Sequence, residues 1–363
     1  MAIDKIESAG LATSTNQPNF RNIIINGDMS IAQRATSTAS ITSTDYHTID
    51  RFVTFMSGLG TWTQSQSTDV PTGQGFATSL KMDCTTADAS PASGDYLKIR
   101  QRIEGQNLQY LKKGTSSAES LTASFWVRSN KTGTYIVELR DIDNNRTISQ
   151  SYTISSADTW EKKTLTFAGD TSGAFDNDNS DSLHLSFWLG GGTTYTSGTL
   201  QTSWGTKVDA NRAVGQVNLA DSTSNEWYVT GVQLEAGTSA SDFEFLPVDV
   251  NKKRCLRYYE LLASGDVQVL FNGFSYSATE FRTVYHPQVP MRAAPTLDQT
   301  SGSNYYRFIR AGSNDKFDDF TLDVSTPTAV EFYNSTDMSG TVGEGGWVRT
   351  DVAASYVALE AEL

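Results

Sequence analysis

The chain is poor in the residue types that most readily announce chemistry. Its 363 residues include two cysteines and three histidines. Cys84 and Cys255 lie far apart and belong to no CxxC or Cys/His cluster, so a disulfide framework and a structural zinc site are both disfavoured. Two reduced thiols, at least partly buried, are expected instead. His47, His184 and His286 are scattered, and His184 falls inside an alternating strand, where a structural role outweighs catalysis. Charged residues make up only 19% and the net charge is −13, so the chain repels phosphate backbones. The best basic cluster, "NKKRCLR" at Asn251–Arg257, is short and reads as a domain junction, so no nucleic-acid partner is expected. No run of about twenty apolar residues occurs, which argues against membrane insertion. The start "MAIDKIESAG" lacks the basic and then apolar regions of a signal peptide. The expectation is a soluble chain made in a reducing cytoplasm.

Catalytic signatures are also missing. There is no GxSxG elbow, HExxH, P-loop or GxGxxG, and Gly73–Gly75 is only a loop. Paired carboxylates would offer a hydrolytic route, but Asp141/Asp143 and Asp176/Asp178 are near neighbours in loops. "DIDNN" begins like a calcium loop, yet Arg146 stands where an EF-hand needs Gly and Tyr152 where it needs Glu. An irregular calcium site at "DNDNSD" stays open as the lesser alternative. No catalytic residue, metal ligand or cofactor is assigned.

Ser, Thr, Asn, Gly and Gln are abundant, with 38% hydrophobic and 11% aromatic residues. That mixture suits turn-rich β proteins and not helical bundles. Apolar and polar residues alternate in Asp50–Met56, Thr78–Cys84, Asp95–Ile103, Leu121–Ser129, Gly133–Ile142, Glu161–Gly169, Ser182–Gly192 and Glu226–Gly237. Period two puts one face of each strand on a core, and the turn-rich links between them indicate an antiparallel sandwich. "FRNIIINGDMSIAQR", Phe20–Arg34, is expected to supply the first core strand of a jelly roll, lying beside Trp227–Leu234. Asn26 and Gly27 are expected to form a bulge or tight turn, and Asp28 to stabilise it or serve a structural cation.

The expected fold is all-β: an antiparallel jelly-roll sandwich followed by a short helix and a smaller C-terminal β domain. Residues 1–18 form a polar leader, 19–247 the jelly roll and 248–363 the second domain. A helix over Val250–Leu262, ended by Gly265, offers an apolar stripe suited to a threefold axis.

Seven markers occur in order: "NIIINGDMSIAQR", "DYHTIDRF", "WYVTGVQLEAG", "DFEFLP", "RCLRYYE", "VPMRAAPTL" and the terminal "LEAEL". Together they resemble bacteriophage tail-fibre and related virion appendage proteins carrying a carbohydrate-binding-module-like jelly roll. The resemblance covers nearly the whole chain past residue 19, and its specificity lies in the ordered set. It implies a non-enzymatic virion component, a homotrimer that meets a host-surface glycan, with phage tail, collar or capsid proteins holding the leader. A head, collar or neck appendage without glycan binding is the alternative, and a depolymerising tailspike the third reading. The leader is shorter than the shaft many fibres carry.

Sugar recognition needs flat aromatic faces with polar groups reaching the hydroxyls. Trp126 and Trp188 lie in core-like strands and are expected to pack inside. Trp62, Tyr195 and Trp204 lie in polar, loop-like surroundings and are the candidate carbohydrate-binding residues.

Overall fold

The computed structural model describes residues 20–363, so the expected anchoring leader lies outside the described residues. The chain divides between Pro247 and Val248 into two compact units. The first is a jelly-roll sandwich of two six-stranded antiparallel sheets. One sheet runs, in spatial order, β1 (Ser37–Ile41), β3 (Thr61–Ser67), β4 (Ser79–Thr86), β12 (Glu226–Ala236), β6 (Leu121–Ser129) and β9 (Glu161–Phe167). The other runs β11 (Gly205–Thr206), β8 (Arg146–Ile154), β7 (Gly133–Asp141), β10 (Asp181–Gly191), β5 (Tyr96–Glu104) and β2 (Val53–Ser57).

Strand alternation builds the core. In β6, Ala123, Phe125 and Val127 face inward, and Phe125 meets Phe187 of β10 edge-on at 5.0 Å across the sandwich. In β12, Trp227 and Val229 face inward before a bulge between Thr230 and Gln233, after which Val232 and Leu234 do. The bulge moves the inward set by one residue. Gly231 sits in it with φ +62°, and an added Cβ would lie 2.5 Å from the Phe76 ring. Only glycine fits both conditions.

The opening segment is not a ladder strand. Residues 22–27 run as irregular chain wedged between the two sheets. On one side Ile23 N donates to Leu234 O (2.9 Å) and Val232 N to Gly27 O (2.8 Å). The Asn22 carboxamide substitutes for the ladder between them, accepting from Leu234 N (3.0 Å) and donating to Val232 O (3.1 Å). On the other side Gln101 of β5 both donates to Ile25 O (2.9 Å) and accepts from Ile25 N (2.7 Å). Every backbone group so buried needs a partner, and side-chain amides supply what a strand neighbour would. The three isoleucines are thus covered on both sides without strand geometry. Asn26 does make the tight turn, at φ +61°, with Met29 N donating to its carbonyl (3.0 Å). Asp28 accepts from Ser30 Oγ at 3.0 Å.

The second unit begins with a helix, α2 (Val248–Leu256), preceded in the chain by the one-turn helix α1 (Thr193–Thr196) of the first. A three-stranded sheet, β13 (Tyr259–Ser264), β22 (Tyr356–Glu360) and β16 (Thr296–Gln299), accompanies a seven-stranded one. The latter is ordered β18 (Ser313–Phe317), β17 (Tyr306–Arg310), β21 (Gly345–Thr350), β14 (Val269–Ser277), β15 (Glu280–Tyr285), β20 (Ala329–Asn334) and β19 (Thr321–Thr326). The helix expected over Val250–Leu262 therefore stops at Leu256. "YELLAS" contains good helix formers, but the C-terminal strand needs a partner, and Tyr259 pairs with Glu360 in β13–β22. Tertiary pairing overrides local propensity here. The expected apolar stripe shrinks to Cys255 and Leu256, which are buried together with the polar Asn251.

Two tryptophans exchange their expected places. Trp62 is no loop residue: it is fully buried in β3, with Nε1 donating to Leu59 O at 2.8 Å. Trp126 points outward from β6, opposite in parity to Phe125, and is only half-buried. Trp62→Ala should therefore cost about 3–5 kcal/mol, whereas Trp126→Ala should cost less than about 1 kcal/mol. Urea melts of the two variants check this, and the reverse order would contradict it.

Candidate functional site

The outer face of the β6/β9/β12 sheet carries a cleft of about 300 Å³. Strand alternation turns Ser124 and Trp126 toward it, and the β6–β9 register sets Lys162 opposite Trp126. The β12 bulge provides a flat floor at Gly231, on which Phe76 lies. After β12 the chain folds back, bringing "DFEFLP" over the same face. Phe243 and Phe245 pack edge-on at 4.8 Å, and each centroid lies 5.1 Å from Phe76. The result is an aromatic wall with Phe245 half-exposed and Gln74, Asp242 and Lys162 at the rim.

A buried carboxylate holds that wall in place. Glu235 has no exposed surface and accepts from Ser241 N (2.8 Å), Ser241 Oγ (2.7 Å) and Gln233 Nε2 (2.8 Å). Arg21 stands 3.6 Å from Glu235 and also donates to Ser241 Oγ (2.7 Å) and Asp242 O (2.8 Å). Two residues beyond Asp242, Glu244 N donates to Gln233 Oε1 (2.8 Å) and its carboxylate accepts from Asn22 N (3.0 Å). Arg21 and parts of three sequence markers, which begin at Asn22, Trp227 and Asp242, therefore form one structure. Charged hydrogen bonds of this kind are the stronger ones, and they tie the loop to the sheet.

The chemistry available is that of binding. Ring faces offer apolar stacking, and an amide (Gln74), an ammonium (Lys162) and a carboxylate (Asp242) stand at the rim as hydrogen-bonding groups. Among the lining residues Asp242 is the single carboxylate, where glycoside hydrolysis by its usual route takes two. Asp141 instead pairs with Lys113 (2.5 Å) and accepts from Asn144 N (3.0 Å), while Asp143 accepts from Asp176 N (3.0 Å). Among the described residues no group of three or more His, Cys, Asp or Glu side chains gathers as a metal site, and no helix is long and apolar enough to cross a membrane.

Of the three expected sugar-binding residues, Trp62 is removed by burial, since a ring without exposed surface stacks on nothing outside. Trp204 is half-buried, with Nε1 donating to Ala168 O (2.7 Å) and Lys113 Nζ 5.7 Å from its ring centre. Tyr195 sits on α1, its ring 5.4 Å from Trp188 and 5.5 Å from Tyr96. The three do not come together.

Tyr195 belongs to a segment clamped onto the outer face of the β7/β10/β5 sheet. Trp188 is buried there, outside the inter-sheet core, with Ile136 and Ala213. Glu138 accepts from Arg212 Nε (2.6 Å), Arg212 Nη2 (3.0 Å) and Trp188 Nε1 (3.2 Å). Lys98 Nζ lies 3.9 Å over the Trp188 ring, and burial, with Arg212 nearby, drives its pKa well down. Burial alone would raise the Glu138 carboxyl, but Arg212 and Lys98 outweigh it and hold it at about 2. His184 is likewise buried, 2.5 Å from Asp181.

Nothing matches the chain among known family models or curated proteins. Among solved structures it is similar to the enzymatically active domain of bacteriophage CBA120 tailspike protein 4, at 15% identity and TM-score 0.32, over 60% of this chain and about a fifth (21%) of that one. A putative sugar binding protein from Bacteroides thetaiotaomicron matches at 11% identity and TM-score 0.32, over 59% of this chain and 99% of that one. A family 11 carbohydrate-binding module from Clostridium thermocellum, solved with a mixed-linked tetrasaccharide, matches at 13% and 0.28, over 57% and 99%.

The cleft left a trace that the alternation contained: Phe125 inward forces Trp126 outward. "DFEFLP" gave a second, with two phenylalanines and two acids in a stretch too polar for a core strand.

Removing Arg212 leaves the buried Glu138 without its bidentate cation and with only the Trp188 Nε1 hydrogen bond, so Arg212→Ala should cost about 3–5 kcal/mol at neutral pH. Because Glu138 is depressed from 4.5 to about 2, its contribution is present above its unfolded value and lost as pH falls through the folded one. The melting temperature should drop on acidification below about pH 4.5, and less steeply in Glu138→Gln. Equal slopes would remove Glu138 from the clamp.

Proposed function

We propose that the chain is a non-enzymatic virion appendage, a phage tail fibre whose jelly roll binds a neutral host-surface glycan in the Trp126/Phe245 cleft. The observation that carries this reading is the aromatic wall with its polar rim, where Trp126 and Phe245 keep exposed ring surface on a sheet face outside the inter-sheet core. The ordered sequence markers support the assignment to a virion, and residues 1–18 are proposed to dock on tail, collar or capsid proteins. Three copies would compensate by avidity for weak single-site affinity. The chain's net charge of −13 gains nothing from anionic polysaccharide, which favours neutral sugars. A collar or head appendage without glycan binding is separated from this reading by the same measurement.

On a glycan array, Trp126→Ala and Phe245→Ala should each weaken binding by about 1–3 kcal/mol, with melting curves near those of the unaltered protein. Tyr195→Ala and Trp204→Ala serve as comparisons. Unchanged binding in both cleft variants would sink the site, and absence of any glycan ligand would favour the collar or head reading.

A further inference from the structure

The seven-stranded sheet of the second unit presents two ion clusters of opposite composition on its outer face. On one side of the central strand β14, a single carboxylate serves three cations: Asp351 meets Arg307 (2.8 Å), Lys316 (2.8 Å) and Arg349 (3.6 Å). These cations sit side by side across β18, β17 and β21. On the other side a single cation serves three carboxylates: Arg282 meets Glu280 (2.5 Å), Asp323 (2.7 Å) and Glu331 (2.9 Å) on β15, β19 and β20. Three charges against one leave the first flank two units positive and the second two units negative.

Between the flanks runs an apolar crest. Val269, Phe274 and Tyr276 of β14, Val284 of β15 and Trp347 of β21 are each 44–68% exposed. The outermost strands β18 and β19 are joined by only three residues, 318–320. Four residue steps reach about 14 Å, whereas the edges of a flat seven-stranded sheet stand about 29 Å apart. The sheet therefore curls around its core, and its outer face is convex with β14 along the ridge. A crest of this kind on a lone molecule is an exposed apolar patch.

We propose that this face is the surface through which copies of the chain associate. A rotation axis lying along β14 puts crest against crest, and it brings the positive flank of each copy onto the negative flank of the next. The face is thereby complementary to itself. A glycan has no use for two opposed charge flanks, which is why a further copy is the occupant. The inference deepens the three-copy part of the proposed function and is independent of the glycan part.

The test uses the full chain. Light scattering across a concentration series should give the mass of three copies, and Trp347→Lys should give one copy with an unchanged circular dichroism spectrum. Asn272→Cys, on the exposed ridge of β14, should cross-link between copies on oxidation, since Cys84 and Cys255 are buried. If Trp347→Lys fails to fold, Lys316→Glu decides, because this exposed change should weaken association at least tenfold while Lys253→Glu on α2 does not. A mass of two copies would keep the face and remove the trimer. A single-copy wild type, or a wild-type oligomer indifferent to Trp347→Lys and Lys316→Glu, would overturn the proposal. So would loss of glycan binding in Trp347→Lys by a wild type that is monomeric, which would make the crest a sugar platform.

Discussion

The carboxamide of Asn22 and the carboxylate of Glu235 hold the beginning and end of the jelly roll together, and the aromatic cleft exists because they do. Residues 22–27 fill the space between β12 and β5, and no strand geometry satisfies both neighbours at once. Amide side chains solve this, since Asn and Gln carry donor and acceptor on one group. Gly27 has to be glycine here: an added Cβ would stand 2.0 Å from Val232 O. Once that segment is seated, Arg21 and Asn22 are positioned to receive the returning loop, whose Ser241 and Glu244 bond to the same cluster. Phe243 and Phe245 follow from the placement of their neighbours.

Ionic groups are used differently in the two units. In the first, charge is buried and matched, as where Arg212 closes on Glu138 beneath Tyr195. Such a centre adds little net stability compared with an apolar one, but it penalises every arrangement that separates the partners. In the second, burial works against ionisation of Asp351, but Arg307 and Lys316 hold its carboxyl below the ordinary range, and the cluster remains at the surface with charge left over. Surplus charge at a surface contributes little to folding and more to the choice of partner.

Much of the architecture was legible because strand alternation is a direct imprint of a two-sided sheet. β4, β5, β6, β7, β9, β10 and β12 all announce themselves that way. β3 and β8 do not. In β3 the inward positions include Gln64, a polar residue with no exposed surface, satisfied by Thr48 Oγ1 (2.6 Å) and Thr54 Oγ1 (2.8 Å). Its Ser/Thr-rich outer positions then make the whole segment resemble a loop, and Trp62 with it. The opening segment misleads in the other direction, since three isoleucines look like a strand although side-chain amides, not a ladder, pair them. For the site, the alternation of β6 contains the outward placement of Trp126, although its core-like strand led to the expectation that it packs inside, and no local signal places Phe76, Phe243 and Phe245 beside it. That meeting depends on contacts more than two hundred residues apart, such as Asn22 with Glu244.

The central claim is that Trp126 lies at a sugar-binding surface while its neighbours in sequence and composition serve the core. Indole N–H resonances report each of the seven tryptophans separately. They should be followed while neutral oligosaccharides cut from bacterial surface polysaccharide are titrated in. The expected result is a saturable shift at Trp126, with Trp62, Trp188 and Trp227 unmoved. A saturable shift at Trp204 or Trp188 with Trp126 stationary would contradict it and move the site to the opposite sheet.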